Sequence, residues 1–242
     1  MKRIKKIIKP GYFSLYVPAD KRREEFDTNN EALISNDVHV DFVFIGDSIT
    51  EGWELNAYFG GKNKIAINRG ISGDTAEYLV KRFEADTLQL KPDYCVILIG
   101  INDASALESL PNVWVPTGRG RSMESVEKIR DRVVKCYISM LDQAKKYSQK
   151  LVICSILPSN IPKVSEKNNE RNKYVALVNS DLKSICEKEG CIFVDYHSRF
   201  ADCDGLTLKT GLSDDGVHPN VSGYNLMADI LRTTLAEYCV EI

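Results

Sequence analysis

The sequence predicts an α/β protein: a three-layer sandwich in which a five-stranded parallel sheet lies between two layers of helices. Two observations carry the prediction. Short apolar runs rich in β-branched residues recur along the chain, without the alternation of a half-exposed strand, as a sheet covered on both faces requires. The segments between them repeat apolar residues at intervals of three and four, the period of a helix with one buried face.

In chain order, the first strand is expected at Val40–Ile45, followed by a weaker one at Lys64–Asn68. Tyr94–Ile99, Leu151–Ile156 and Cys191–Val194 complete the set of five. A helical stretch is expected after Asp74-Thr75. A longer one follows Met123, with apolar positions at Val126, Ile129, Val133, Tyr137, Met140, Leu141 and Ala144. Tyr174, Leu177, Val178, Leu182 and Ile185 repeat the pattern, as do Val221, Tyr224, Ala228, Leu231 and Leu235. Two stretches, Ala104–Arg121 and Asp202–Val217, show no sustained period, and loops of that length in a compact domain are more often functional than idle.

The 242 residues fit one domain, 1–242, with 1–20 expected as an N-terminal extension. Lys and Arg (32) nearly cancel Asp and Glu (34), which argues against a nucleic-acid partner, because such surfaces concentrate positive charge. The basic head Met1–Lys9 runs into Pro10-Gly11 instead of an unbroken apolar stretch, so it reads as a solvated tail and not a secretory signal. No run is apolar enough to span a membrane. The seven cysteines form no C-x-x-C pair, and their odd number suits reduced thiols and a cytoplasmic location. Oligomeric state is left open.

In an open parallel sheet, ligands bind beyond the carboxyl ends of the strands, so chemistry is sought where each apolar run stops. Ser48, in Val43-Phe-Ile-Gly-Asp-Ser-Ile-Thr50, follows the first strand; taken alone it reads equally as a helix N-cap. No G-x-S-x-G elbow and no phosphate-binding glycine motif accompanies it. Gly73, in Asn68-Arg-Gly-Ile-Ser-Gly-Asp74, follows the second strand and can turn its N–H into the crevice, or serve as a plain turn glycine. Asn102, in Gly100-Ile-Asn-Asp103, follows the third strand and can offer an amide to a developing negative oxygen, or close an Asx turn. Asp215 stands three residues before His218, a spacing at which a carboxylate can orient an imidazole; Asp214 is its neighbour and competitor. Together the segments supply a nucleophile, a base, its orienting acid and three oxyanion donors, which is a complete inventory for acyl transfer. His39 and His197 lack ligand-like spacing, so no metal is expected.

These four segments resemble the four blocks of the SGNH hydrolase (GDSL-type lipase and esterase) superfamily, in the family's order and over nearly the whole chain: Gly46-Asp47-Ser48, Gly73, Gly100–Asp103 and Asp215–His218. The resemblance implies a flavodoxin-like sheet and a Ser48–His218–Asp215 triad with no cofactor. It also implies an oxyanion hole made by the N–H groups of Ser48 and Gly73 with the Asn102 amide. The expected activity is hydrolysis of short acyl esters, acetyl above all, on a carbohydrate or similar polar alcohol, because Ala104–Arg121 sets Arg119, Arg121, Glu108 and Asn112 beside Trp114, and Asp202–Val217 adds Asp202, Asp204, Lys209 and Thr210. Trp114, in the proline-rich stretch, is the candidate for lining the substrate pocket, whereas Trp53 is expected to pack. An acyltransferase, a lysophospholipase or thioesterase, and a non-catalytic binding module are the alternative readings.

Overall fold

The structure is a computed structural model that describes residues 17–61, 63–107, 124–162 and 165–242. Five strands, β1 (Phe42–Gly46), β2 (Ala66–Gly70), β3 (Tyr94–Leu98), β4 (Lys150–Cys154) and β5 (Ile192–Val194), form one sheet in the order β2-β1-β3-β4-β5. Every pairing is parallel, with Gly46 opposite both Gly70 and Leu98. This is the expected sheet, each strand within about two residues of its apolar run. The chain leaves β1 towards β2 and later returns past β1 to β3, so the strand order reverses beside β1, where open α/β sheets form their binding crevice.

Helices α4 (Ala76–Asp86), α5 (Val126–Lys146) and α6 (Ser165–Glu189) pack side by side on one face of the sheet. α5 shows why its sequence folds this way. Ser125 caps its first turn, and Ile129, Val133, Tyr137, Met140, Leu141 and Ala144 are all buried. The short α2 (Ser48–Glu51) and α3 (Leu55–Phe59) lie towards β2, while α7 (His197–Phe200) precedes the irregular stretch leading to α8 (Val221–Glu237). Trp53, after α2, is buried and stacks on Tyr224 of α8, which joins these elements in an aromatic cluster with Phe44 and Phe59. Trp53 therefore packs, as expected.

One long helix, α1 (Val17–Ser35), has no counterpart in the sequence-based assignment. Its buried positions are Ala19, Arg23, Phe26 and Asn30, spaced three and four apart as in any packed helix. Two of the four are polar, so the face that packs carries no apolar stripe. The helix begins at Val17, inside the segment 1–20 read as an extension. α6 likewise starts well before Tyr174, because its first turns turn Asn168, Arg171 and Asn172 inwards. None of the seven cysteines is in a disulfide. Among the described residues, no helix is long and apolar enough to cross a membrane.

Candidate active site

Ser48 is the first residue of α2, two residues beyond the end of β1. Asp47 caps that turn, its Oδ1 accepting from Ile49 N–H at 3.0 Å. The turn sits tightly on the neighbouring strand. A Cβ on Gly70 would lie 2.1 Å from the Glu51 nitrogen, so only glycine lets β2 pass under α2. Asn68 holds the same turn by donating to the carbonyls of Thr50 (2.6 Å) and Trp53 (3.0 Å).

The fourth segment reaches Ser48 across 170 residues of sequence. His218 Nε2 lies 2.8 Å from Ser48 Oγ, and His218 Nδ1 lies 2.6 Å from Asp215 Oδ2. A carboxylate accepts only, so Nδ1 carries the proton and Nε2 is left to accept from the serine hydroxyl. Asp215 Oδ1 takes the N–H groups of Val217 (2.9 Å) and His218 (2.8 Å) and the hydroxyl of Ser213 (3.1 Å). Partial burial pushes the Asp215 carboxyl up, but the hydrogen bonds from His218 and its neighbours outweigh it and hold the group down at about 2. Asp214 turns away and accepts instead from Asn220, the N-cap of α8.

Gly73 has a φ of 78°, a left-handed turn between β2 and α4. Asn102 stands beside that turn. Its Nδ2 donates to the Asp74 carbonyl at 2.9 Å, which fixes the orientation of the amide and leaves its second N–H uncommitted to that bond. The carbonyls leading to Asn102 are pinned by buried side chains: Tyr137 donates to Ile99 and Tyr174 to Gly100, both at 2.9 Å. Asp103 is buried and accepts from Ala76 N–H, so the third segment also caps the start of α4. Burial raises Asp47 and Asp103 to about 7 and Asp74 to about 6.

The structure thus brings Ser48, His218 and Asp215 into one hydrogen-bonded chain and sets Asn102 against the Gly73 turn. Trp114 and most of Ala104–Arg121 lie outside the described residues; Asn102–Leu107 form a 3-10 turn. Sequence reasoning missed several supporting residues. Asn168, Asn172 and Asn179 of α6 each bond both the N–H and the carbonyl of one residue in the loop after β4, namely Ile161, Ser159 and Ile156. Asn160 of that loop donates in turn to Gly216, between Asp215 and His218. Tyr224 donates to Ile49 at 2.8 Å, tying α8 to the serine turn. The spacing of the three asparagines on α6 was the available signal, but it is visible only to a reader who allows a helix to pack a polar face.

The one grouping of potential metal ligands close enough to share an ion, among the described residues, is His39, Asp41 and Asp93, at the opposite end of the sheet. Asp41 is already committed there, to Lys64 Nζ and Ile65 N–H at 2.8 Å each.

Comparison with known proteins points to one family. The profile of the GDSL-like lipase/acylhydrolase family matches residues 44–226. An acetylxylan esterase from Geobacillus stearothermophilus is 26% identical over 162 residues, covering 67% of this chain and 68% of that protein. Among solved structures, a GDSL-like lipase from Bacteroides thetaiotaomicron VPI-5482 aligns with a TM-score of 0.69 at 26% identity, covering 89% of this chain and 97% of that one. The crystal structure of the Geobacillus acetylxylan esterase aligns with a TM-score of 0.61 at 23% identity, covering 81% and 94%, a likeness of fold.

Proposed function

This chain belongs to the GDSL-like lipase/acylhydrolase family and is an ester-hydrolysing enzyme, and we propose that it is a serine esterase for short acyl groups, acetyl above all, carried on a polar alcohol such as a sugar. The observation that carries the chemistry is the unbroken relay Ser48–His218–Asp215, with contacts of 2.8 and 2.6 Å. His218 Nε2 takes the Ser48 proton as Oγ attacks the carbonyl carbon, and the carbonyl electron pair moves onto oxygen. The N–H groups of Ser48 and Gly73 and the free amide hydrogen of Asn102 receive that oxyanion. The imidazolium then protonates the departing alcohol, leaving an acyl-serine. Water enters, loses its proton to the same nitrogen, attacks the acyl carbon, and Ser48 leaves with the proton returned. Asp215 keeps the ring in the required tautomer and stabilises its cationic form.

The acetyl preference is supported by the relationship to an acetylxylan esterase and by the polar character of the loop that carries the acid and base. Asp202, Asp204, Lys209 and Thr210 are exposed there and give no continuous apolar wall, on which each buried CH2 would contribute about 0.8 kcal/mol. The test is a p-nitrophenyl ester series from C2 to C12, with acetylated xylo-oligosaccharides alongside. A kcat/KM maximum at C2 to C4 with release of acetate from the sugar is expected, and a maximum at C8 or beyond overturns the acyl assignment. Ser48→Ala should abolish turnover and labelling by a fluorophosphonate; residual activity above a few per cent in clean protein overturns the nucleophile.

A further inference from the structure

Arg82 of α4 is fully buried, and all three nitrogens of its guanidinium donate hydrogen bonds. Nη2 donates to the Gly46 carbonyl at 2.9 Å, at the exit of β1 that leads into Ser48. Nη1 donates to the Arg69 carbonyl at 2.8 Å, near the exit of β2 that leads into the Gly73 turn, and to Asp86 at 3.1 Å. Nε and Nη2 both meet Asp74 Oδ2 at 2.8 Å. Asp74 directly follows Gly73, and its own backbone carbonyl holds the Asn102 amide.

We propose that Arg82 is a positioning residue for the oxyanion: one rigid guanidinium fixes the mutual placement of Ser48, Gly73 and, through Asp74, Asn102. The inference rests on the assignment of those three donors made above and extends it to the part that sets their spacing. A buried ion cluster whose role is stability alone needs only the carboxylates Asp74 and Asp86. The two further bonds go to backbone carbonyls at adjacent strand exits, which are the positions that aim the donor-bearing turns. Asp86 and, beyond it, Arg23 of α1 close the far side of the cluster, so the guanidinium has no freedom to drift. Lysine cannot substitute. Its single ammonium has three donors at one point and cannot span two strand exits and two carboxylates. Arg82 does not touch the His218 loop in any of these contacts, so its effect should fall on transition-state stabilisation and leave the base alone.

The experiment is Arg82→Lys in the full chain, read with p-nitrophenyl acetate and checked for native folding by circular dichroism. We expect kcat to fall about 10- to 100-fold with KM changed by less than about threefold, and the acidic limb of the pH–rate profile to stay in place. Combined with Asn102→Ala, the loss should be clearly smaller than the product of the two single losses, because both act through one oxyanion site. Phe83→Leu, a core change on the same helix, provides a destabilised variant that should keep its kcat. If Arg82→Lys does not fold, Asp74→Ala removes the oxygen that meets Nε and Nη2 and is judged by the same criteria. A kcat within about threefold of the parent, or losses that multiply with Asn102→Ala, overturns the inference. Should Ser48→Ala and Asn102→Ala themselves retain turnover, the site assignment fails; if they lose it and Arg82→Lys does not, only the positioning role fails.

Discussion

Gly216 sits between Asp215 and His218, the proposed acid and base, and Gly216→Ala tests whether their placement depends on it. Its φ is +87°, and an added Cβ would stand 2.0 Å from the Asn160 carbonyl oxygen, where even 3.0 Å is shorter than side chains tolerate. The two loops must therefore part by about 1 Å, a displacement passed to His218 two residues on. The contact at risk is the 2.8 Å bond from His218 to Ser48. A shift of that size in a catalytic group costs about 100-fold in rate, and the left-handed strain with the clash costs about 2–4 kcal/mol of stability. The matched control is Gly205→Ala, with a φ of +69° and no heavy atom near the added Cβ. That change carries only the conformational cost, about 1–2 kcal/mol, and should leave the rate untouched. The assay is kcat/KM on p-nitrophenyl acetate beside urea unfolding of both variants. If Gly216→Ala keeps kcat/KM within about threefold, or if Gly205→Ala loses as much, the argument from loop contact is wrong.

Asn102→Ala should lower kcat by about 100- to 1,000-fold with little change in KM, since its amide meets the oxygen only when charge develops there; equal loss in binding and turnover would refute that role. Asp215→Asn should cost less than His218→Ala, because an orienting acid is the most dispensable member of a triad, and the double variant should be little worse than His218→Ala alone. If Asp214→Asn proved the damaging change, the acid would be misassigned. Asp47 and Asp103 are raised by burial from an ordinary 3.8 to about 7, so the folded protein binds more protons than the unfolded chain between those values. Stability should therefore fall as pH rises from about 4 to about 7 and level off above, and Asp47→Asn, which can still cap Ile49, should make that fall shallower in urea titrations at fixed pH. An unchanged slope would mean that Asp47 does not titrate in this window.

The sheet was legible in the sequence because a strand buried on both faces must be apolar, and β1, β3 and the buried Leu151–Cys154 of β4 are. The residues proposed here to react could also be picked out as candidates, since Ser48, Gly73, Asn102 and the Asp215–His218 pair each fall just past a strand or just before the last helix, where this class of sheet gathers its ligands. What the sequence could not supply was everything that depends on polar burial. α1 and the first turns of α6 pack through Arg23, Asn30, Asn168 and Asn172; the three asparagines are hydrogen-bonded to other segments, and Arg23 is ion-paired with Asp27 and with Asp86 of α4. Such partners are invisible to a local pattern of apolar residues. The pairing of Asp215 with His218 was expected from the three-residue spacing, and the structure adds the contact of Gly216 with Asn160 and the bond from Asn220 to Asp214. Arg82 makes the same point most fully. Along the chain it is one more charge on a helix, and its four partners converge only when β1, β2 and α4 have come together.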